Sequence, residues 1–84
     1  MGFFDSIKKI FNDDEQKNSN LYNGKTADEW FDLAYNETDL NKKIKYYDNC
    51  LKLNPNNAVV WYNKGLALNK LGKHSEAIEC FDKA

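Results

Sequence analysis

One part of this sequence repeats another at a fixed distance. Shifted by 34 residues, Ile44-Lys45-Tyr46-Tyr47-Asp48-Asn49-Cys50 falls on Ile78-Glu79-Cys80-Phe81-Asp82-Lys83-Ala84. Apolar meets apolar at the core-like positions, and Asp meets Asp. A period of this length marks a repeated supersecondary unit. Such a unit has too little core of its own, so neighbouring units stack and share one. The first halves match in kind as well: Ala27-Asp28-Glu29-Trp30-Phe31-Asp32 resembles Ala58-Val59-Val60-Trp61-Tyr62-Asn63, with the two tryptophans 31 residues apart. That spacing predicts a first unit about three residues shorter between its two helices.

Helix boundaries carry physical markers. Thr26-Ala27-Asp28-Glu29 reads as a capping box, a hydroxyl for the orphan amides and a carboxylate reaching back. Asn36–Asp39 is a turn, with Thr38 or Asp39 capping the next helix, which Asn54-Pro55 stops after about Leu53. Asn57 caps the third helix and Gly72 ends it. The fourth starts near His74, with Glu76 in its first turn to suit the macrodipole. The reading is all-α: tandem antiparallel helical hairpins.

Four regions follow. Residues 1–11 form an amphipathic N-terminal helix, and 12–25 a flexible polar linker, rich in Asn with little to bury. Residues 26–57 are an irregular hairpin, and 58–84 a regular one whose second helix is incomplete.

The stretch Trp61-x-x-Lys64-Gly65-x-x-Leu68 followed by Ala77-x-x-x-Phe81 resembles the tetratricopeptide repeat, an α-solenoid unit. Ala84 falls where that family keeps another small residue, and Asn54-Pro55 where a preceding repeat should end. The likeness covers Ala27–Ala84 and is more specific from Ala58 onward. Gly65, and Ala34 in the first unit, stand where two helices must approach closely. Ala77 faces them, Phe81 and Tyr47 plug the space one turn later, and Trp30 and Trp61 fill the hairpin openings. Lys43 stands where Ala77 stands in the second unit, so its charge must snorkel outward and the first hairpin is expected to pack differently or splay.

The resemblance implies a non-enzymatic protein-binding module. In this family the first helix of each hairpin lines a concave groove that takes a peptide or partner helix. The matching positions are Asp28, Phe31, Asp32, Tyr35, Val59, Tyr62, Asn63, Leu66 and Asn69. One subset of the family grips a C-terminal carboxylate with Lys and Asn. Asn63 fits one position of that clamp, but Phe31 and Tyr35 occupy the other two, so this mode is rejected. A basic or amphipathic segment suits Asp28 and Asp32 better.

The N-terminal segment is the second candidate surface. At 100° per residue Phe3, Phe4, Ile7, Ile10 and Phe11 fall in an arc of about 120°. Three readings stay open: it folds back on the repeat groove or its open end, it lies weakly on a membrane as the anchor of a peripheral adaptor, or it docks on a partner. Met1-Gly2 through Ser6 also fits the loose myristoylation pattern.

Other chemistries find little support. Twelve basic against thirteen acidic residues, with no Arg and no basic cluster, argue against nucleic acid as partner. No nucleophile–base pair and no Gly-rich phosphate loop is present, so neither an enzyme nor a cofactor is expected. His74, the only histidine, has no neighbouring Cys or carboxylate cluster and is not read as a metal ligand. Cys50 and Cys80 read as small buried hydrophobes, which suits a reducing cytoplasm. No run approaches the roughly 20 apolar residues of a membrane span. The chain stops at Ala84 inside a helical pattern, so an uncovered apolar face is expected there. That face fits either an excerpt of a longer array or a short protein that self-associates through it.

Overall fold

The computed structural model describes residues 20–84. Over that span four helices run in order: α1 (Ala27–Asn36), α2 (Leu40–Leu53), α3 (Ala58–Lys70) and α4 (His74–Lys83). They form two antiparallel hairpins, α1–α2 and α3–α4, with α2 packed on α3. The expected N-terminal helix, 1–11, lies outside the described residues.

Each start has its physical cause. Thr26 Oγ1 accepts from the Glu29 amide at 3.2 Å, and Glu29 Oε1 accepts from the Thr26 amide at 2.9 Å. These bonds to Thr26 hold the Glu29 carboxyl below its usual range. Asp39, not Thr38, caps α2 by accepting from the Lys42 amide. Asn57 Oδ1 accepts from the amides of Val59 and Val60 at the head of α3. At the end of α3, Gly72 takes φ +81°, its amide donates to the Asn69 carbonyl, and the Lys73 amide donates to Leu68. Those two bonds make a Schellman stop, for which glycine is suited.

The 31-residue spacing of the tryptophans has a different origin from the expected one. Both hairpin turns are three residues long, Glu37–Asp39 and Leu71–Lys73, so the turn is not shortened. Instead α1 has 10 residues and α3 has 13. Trp30 and Trp61 occupy the same place counted from the start of their helices, and α1 simply ends a turn sooner.

That early end explains Lys43. The hairpin is not splayed, since Ala34 is wholly buried. Lys43 runs along the end of α1 and donates from Nζ to the carbonyls of Ala34 and Tyr35, at 2.8 and 3.1 Å. α1 has no basic residue in its own last turn. A lysine from α2 therefore supplies the positive charge that the carbonyl end favours.

The two cores interlock. One cluster joins Trp30, Ala34, Tyr47, Cys50 and Leu51 to Val60 of α3, and the other joins Leu68, Ala77 and Cys80 to Ile44 of α2. Trp61 packs on both. Each hairpin thus lends a side chain to its neighbour's core, as stacked repeats require.

Residues 20–25 differ from the flexible linker expected over 12–25. Tyr22 and Lys25 exchange both backbone hydrogen bonds, at 2.9 and 3.2 Å, across Asn23 and Gly24 with φ of 50° and 82°. This is a tight turn of the primed kind, and Asn-Gly is its common sequence signal. The indole of Trp30 donates to the Tyr22 carbonyl at 2.7 Å, and Lys52 donates to the Tyr22 hydroxyl at 2.7 Å. The lysine lowers the hydroxyl's pKa. The rest of the expected linker, 12–19, lies outside the described residues.

Candidate partner-binding groove

The candidate groove is built on the faces that α1 and α3 leave free after packing. Aromatic pairs inside each hairpin set its floor. In the first, Phe31 meets the edge of Tyr47 with ring centroids 5.8 Å apart, and in the second Tyr62 meets Phe81 at 5.6 Å. Phe31 and Tyr62 hold corresponding places in α1 and α3, as Tyr47 and Phe81 do in α2 and α4. Phe31 also stacks on Tyr35 at 6.2 Å. Burial raises the pKa of the Tyr47 hydroxyl, with Asn63 pulling the other way.

Of the nine expected groove residues, Tyr35, Val59, Tyr62 and Leu66 are exposed large side chains, at 66, 57, 51 and 40%. Leu21, Leu33 and Ile78 are exposed as well, outside the expected groove positions. Asp28 and Asp32 are exposed, while Phe31 and Asn63 are half-buried. The structure gathers these residues in two recesses. Asp28, Phe31 and Val59 line one with Asn57, above Cys50 and Val60. Tyr35, Asn63 and Leu66 line the other with Lys43 and Lys70. Asp32, Tyr62 and Asn69 belong to neither recess. Asn69 is engaged elsewhere: its Oδ1 lies 2.7 Å from His74 Nδ1, tying the end of α3 to the start of α4.

Two residues here were not among the expected groove positions. Lys43 and Lys70 bring positive charge to the end of the groove where α1 stops, opposite the end that carries Asp28. The pKa of Lys43 is depressed, first by burial and then by the charge of Lys70. Lys70 could have been found from the helical stripe Val59, Asn63, Leu66, Lys70. Lys43 could not, because its reach depends on where α1 ends.

Little else in the described residues suggests chemistry. No group of His, Cys, Asp and Glu there could hold a metal ion. Burial pushes the Cys50 thiol up to about 11 and raises Cys80 as well, so neither is a ready thiolate nucleophile. No described helix is long and apolar enough to cross a membrane. The second candidate surface, Phe3, Phe4, Ile7, Ile10 and Phe11, lies outside the described residues.

An uncharacterized protein of Methanocaldococcus jannaschii is 44% identical over 46 residues, which are 55% of this chain and 54% of that protein. The chain therefore spans about half the length of the curated relative it matches. The family model of the tetratricopeptide repeat matches residues 58–84, the α3–α4 hairpin with its close Gly65–Phe81 contact. Residues 58–84 thus match a tetratricopeptide repeat.

Proposed function

We propose that this chain is a non-enzymatic module that holds a peptide or helix of another protein along the concave face of α1 and α3. The observation that carries the reading is the run of exposed Tyr35, Val59, Tyr62 and Leu66 on consecutive first helices. Their side chains give an apolar strip, and ring contacts with Phe31 and Phe81 back Tyr35 and Tyr62. Rigid aromatic anchors are the side chains that contribute most when a partner buries them. The acids at one end and Lys43 with Lys70 at the other give the strip a direction. A ligand with a basic and an acidic end is received in one orientation.

The test compares proteins captured by the wild-type chain with those captured by the Tyr62→Ala/Leu66→Ala double variant. Both side chains are at least 40% exposed, so the fold should survive, and far-ultraviolet circular dichroism checks that it does. Loss of capture with helicity retained supports the groove. Unchanged capture removes the groove assignment.

A further inference from the structure

We infer that the groove's first occupant is the chain's own N-terminal segment, Phe3 to Phe11, which a partner must displace. The inference rests on the groove reading above and adds a ligand and a regulation to it. Three observations meet at one end of the groove.

The first is position. Asn20, where the described chain begins, lines a shallow recess with Ala27, Asp28 and Asn54. Those three residues also rim the groove recess of Phe31 and Val59. The chain therefore enters the repeat at the mouth of its own groove. The second is length. Eight residues, 12–19, separate Phe11 from Asn20, and a random-coil chain of that length would span about 16 Å root-mean-square. α1, with 10 residues, is about 15 Å long. As the helix its periodicity predicts, the nine-residue segment would be about as long. Tether and segment together match the groove and do not overshoot it.

The third is charge, and it fixes the direction. α1 carries Asp28, Glu29 and Asp32 and no base. Lys8 borders the apolar arc of the segment, in the half nearer the tether, while Lys9 and Asp5 fall on the opposite face. With Phe11 at the mouth, Lys8 lies by Asp28 and Asp32. The reverse direction would set Lys8 towards Lys43 and Lys70. The tether independently demands the same direction, since Phe11 is the end it holds. Segment and α1 then run antiparallel, which also opposes their helix dipoles favourably. A tether this short supplies an effective concentration in the millimolar range, so a contact with a dissociation constant near that value occupies the groove about half of the time.

The experiment uses the full chain with a nitroxide placed through Ser6→Cys. Cys50 and Cys80 are only 2 and 5% exposed, so the label goes to position 6. The expected result is broadening of the amides of Phe31, Tyr35, Val59 and Leu66, with Ile78 and Glu79 on α4 spared. The broadening should be lost in an Ile7→Ser/Phe11→Ser background. In that background, capture of partners should rise by about twofold or more, the factor expected when a half-occupied site is freed. Spared groove amides overturn the inference. So does broadening seen only between isotope-labelled and nitroxide-labelled copies, which would seat the segment on a second chain. Spared amides together with co-sedimentation on phosphatidylserine-containing vesicles would assign the segment to a membrane and overturn it too. In each of these cases the groove reading still stands if Tyr62→Ala/Leu66→Ala loses its partners, so the two failures are told apart.

Discussion

The ring of Phe81 lies directly against the α-carbon of Gly65. A β-carbon at 65 would stand 2.5 Å from Cε1 and 2.7 Å from Cδ1 of that ring. Tyr62, one turn earlier on α3, also packs on the ring, with centroids 5.6 Å apart. Gly65→Ala gains about 1 kcal/mol of helix propensity, but overpacking of this kind costs about 1–3 kcal/mol. We expect a net loss of about 1 kcal/mol by urea unfolding. In a Phe81→Ala background the clash is gone, and the same substitution should stabilise. A stabilised single variant would show that the ring moves freely.

Lys43 holds the open end of α1, and its replacement should therefore act on the first hairpin. Lys43→Met keeps the stem and removes the donor to Ala34 and Tyr35. The loss should be about 1 kcal/mol, the usual net worth of a hydrogen bond at a partly exposed site. Lys43→Ala copies the second hairpin, where Ala77 stands, yet it should cost more than methionine does. α1 lacks the last turn that α3 has, so the alanine leaves a gap the lysine stem had filled. Equal stability of Lys43→Ala and wild type would contradict this account.

These residues show what the sequence could convey. The 34-residue period and the caps at Thr26, Asn57 and Gly72 are local signals, and each sits in the fold where its chemistry placed it. The resemblance assigned Tyr35, Val59, Tyr62 and Leu66 to the free face of the first helices, and all four side chains are exposed. The 31-residue spacing was legible as a deletion but not as to where it falls. Spacing counts residues and does not say whether a turn or a helix lost them. Lys43 was misread for that reason: its role depends on the missing last turn of α1, a tertiary fact. The turn at Asn23-Gly24 was a missed local signal, overlooked because its polar neighbours suggested a linker.

That turn gives a further test. Gly24 takes φ 82°, which a β-carbon penalises, although nothing stands within 4 Å of where one would sit. The strain is therefore purely of the backbone. Gly24→Ala should cost about 1 kcal/mol, and Gly24→Asn less, since Asn tolerates this conformation. The Trp30 indole is tied to Tyr22 at one end of the turn, so loosening the turn should shift tryptophan emission. Equal stability of the alanine and asparagine variants would show that the turn does not constrain the hairpin.

Cys50 contributes to the stability at high pH, in the same sense as Tyr47 and Cys80, whose pKa values burial also raises. Its thiol is buried and donates to the Ala27 carbonyl at 3.3 Å, and burial pushes its pKa up to about 11. Between about pH 9 and 11 the folded chain keeps this proton while the unfolded chain has lost it. The unfolded state then binds fewer protons, so stability falls as pH rises. The contribution is fully present below about pH 9 and is lost as pH passes about 11. One pKa unit corresponds to about 1.4 kcal/mol, so the loss is of the order of 1–3 kcal/mol. Urea unfolding at pH 8 and pH 10.5 measures it, with Cys50→Ala as the control. The variant should start less stable at pH 8 and lose less on the way to pH 10.5. Lys43 works in the opposite sense, because its depressed pKa lets the folded chain release a proton first. That effect is common to both proteins and cancels in their difference. If the variant loses as much stability as wild type, the thiol is not the group that carries the alkaline transition.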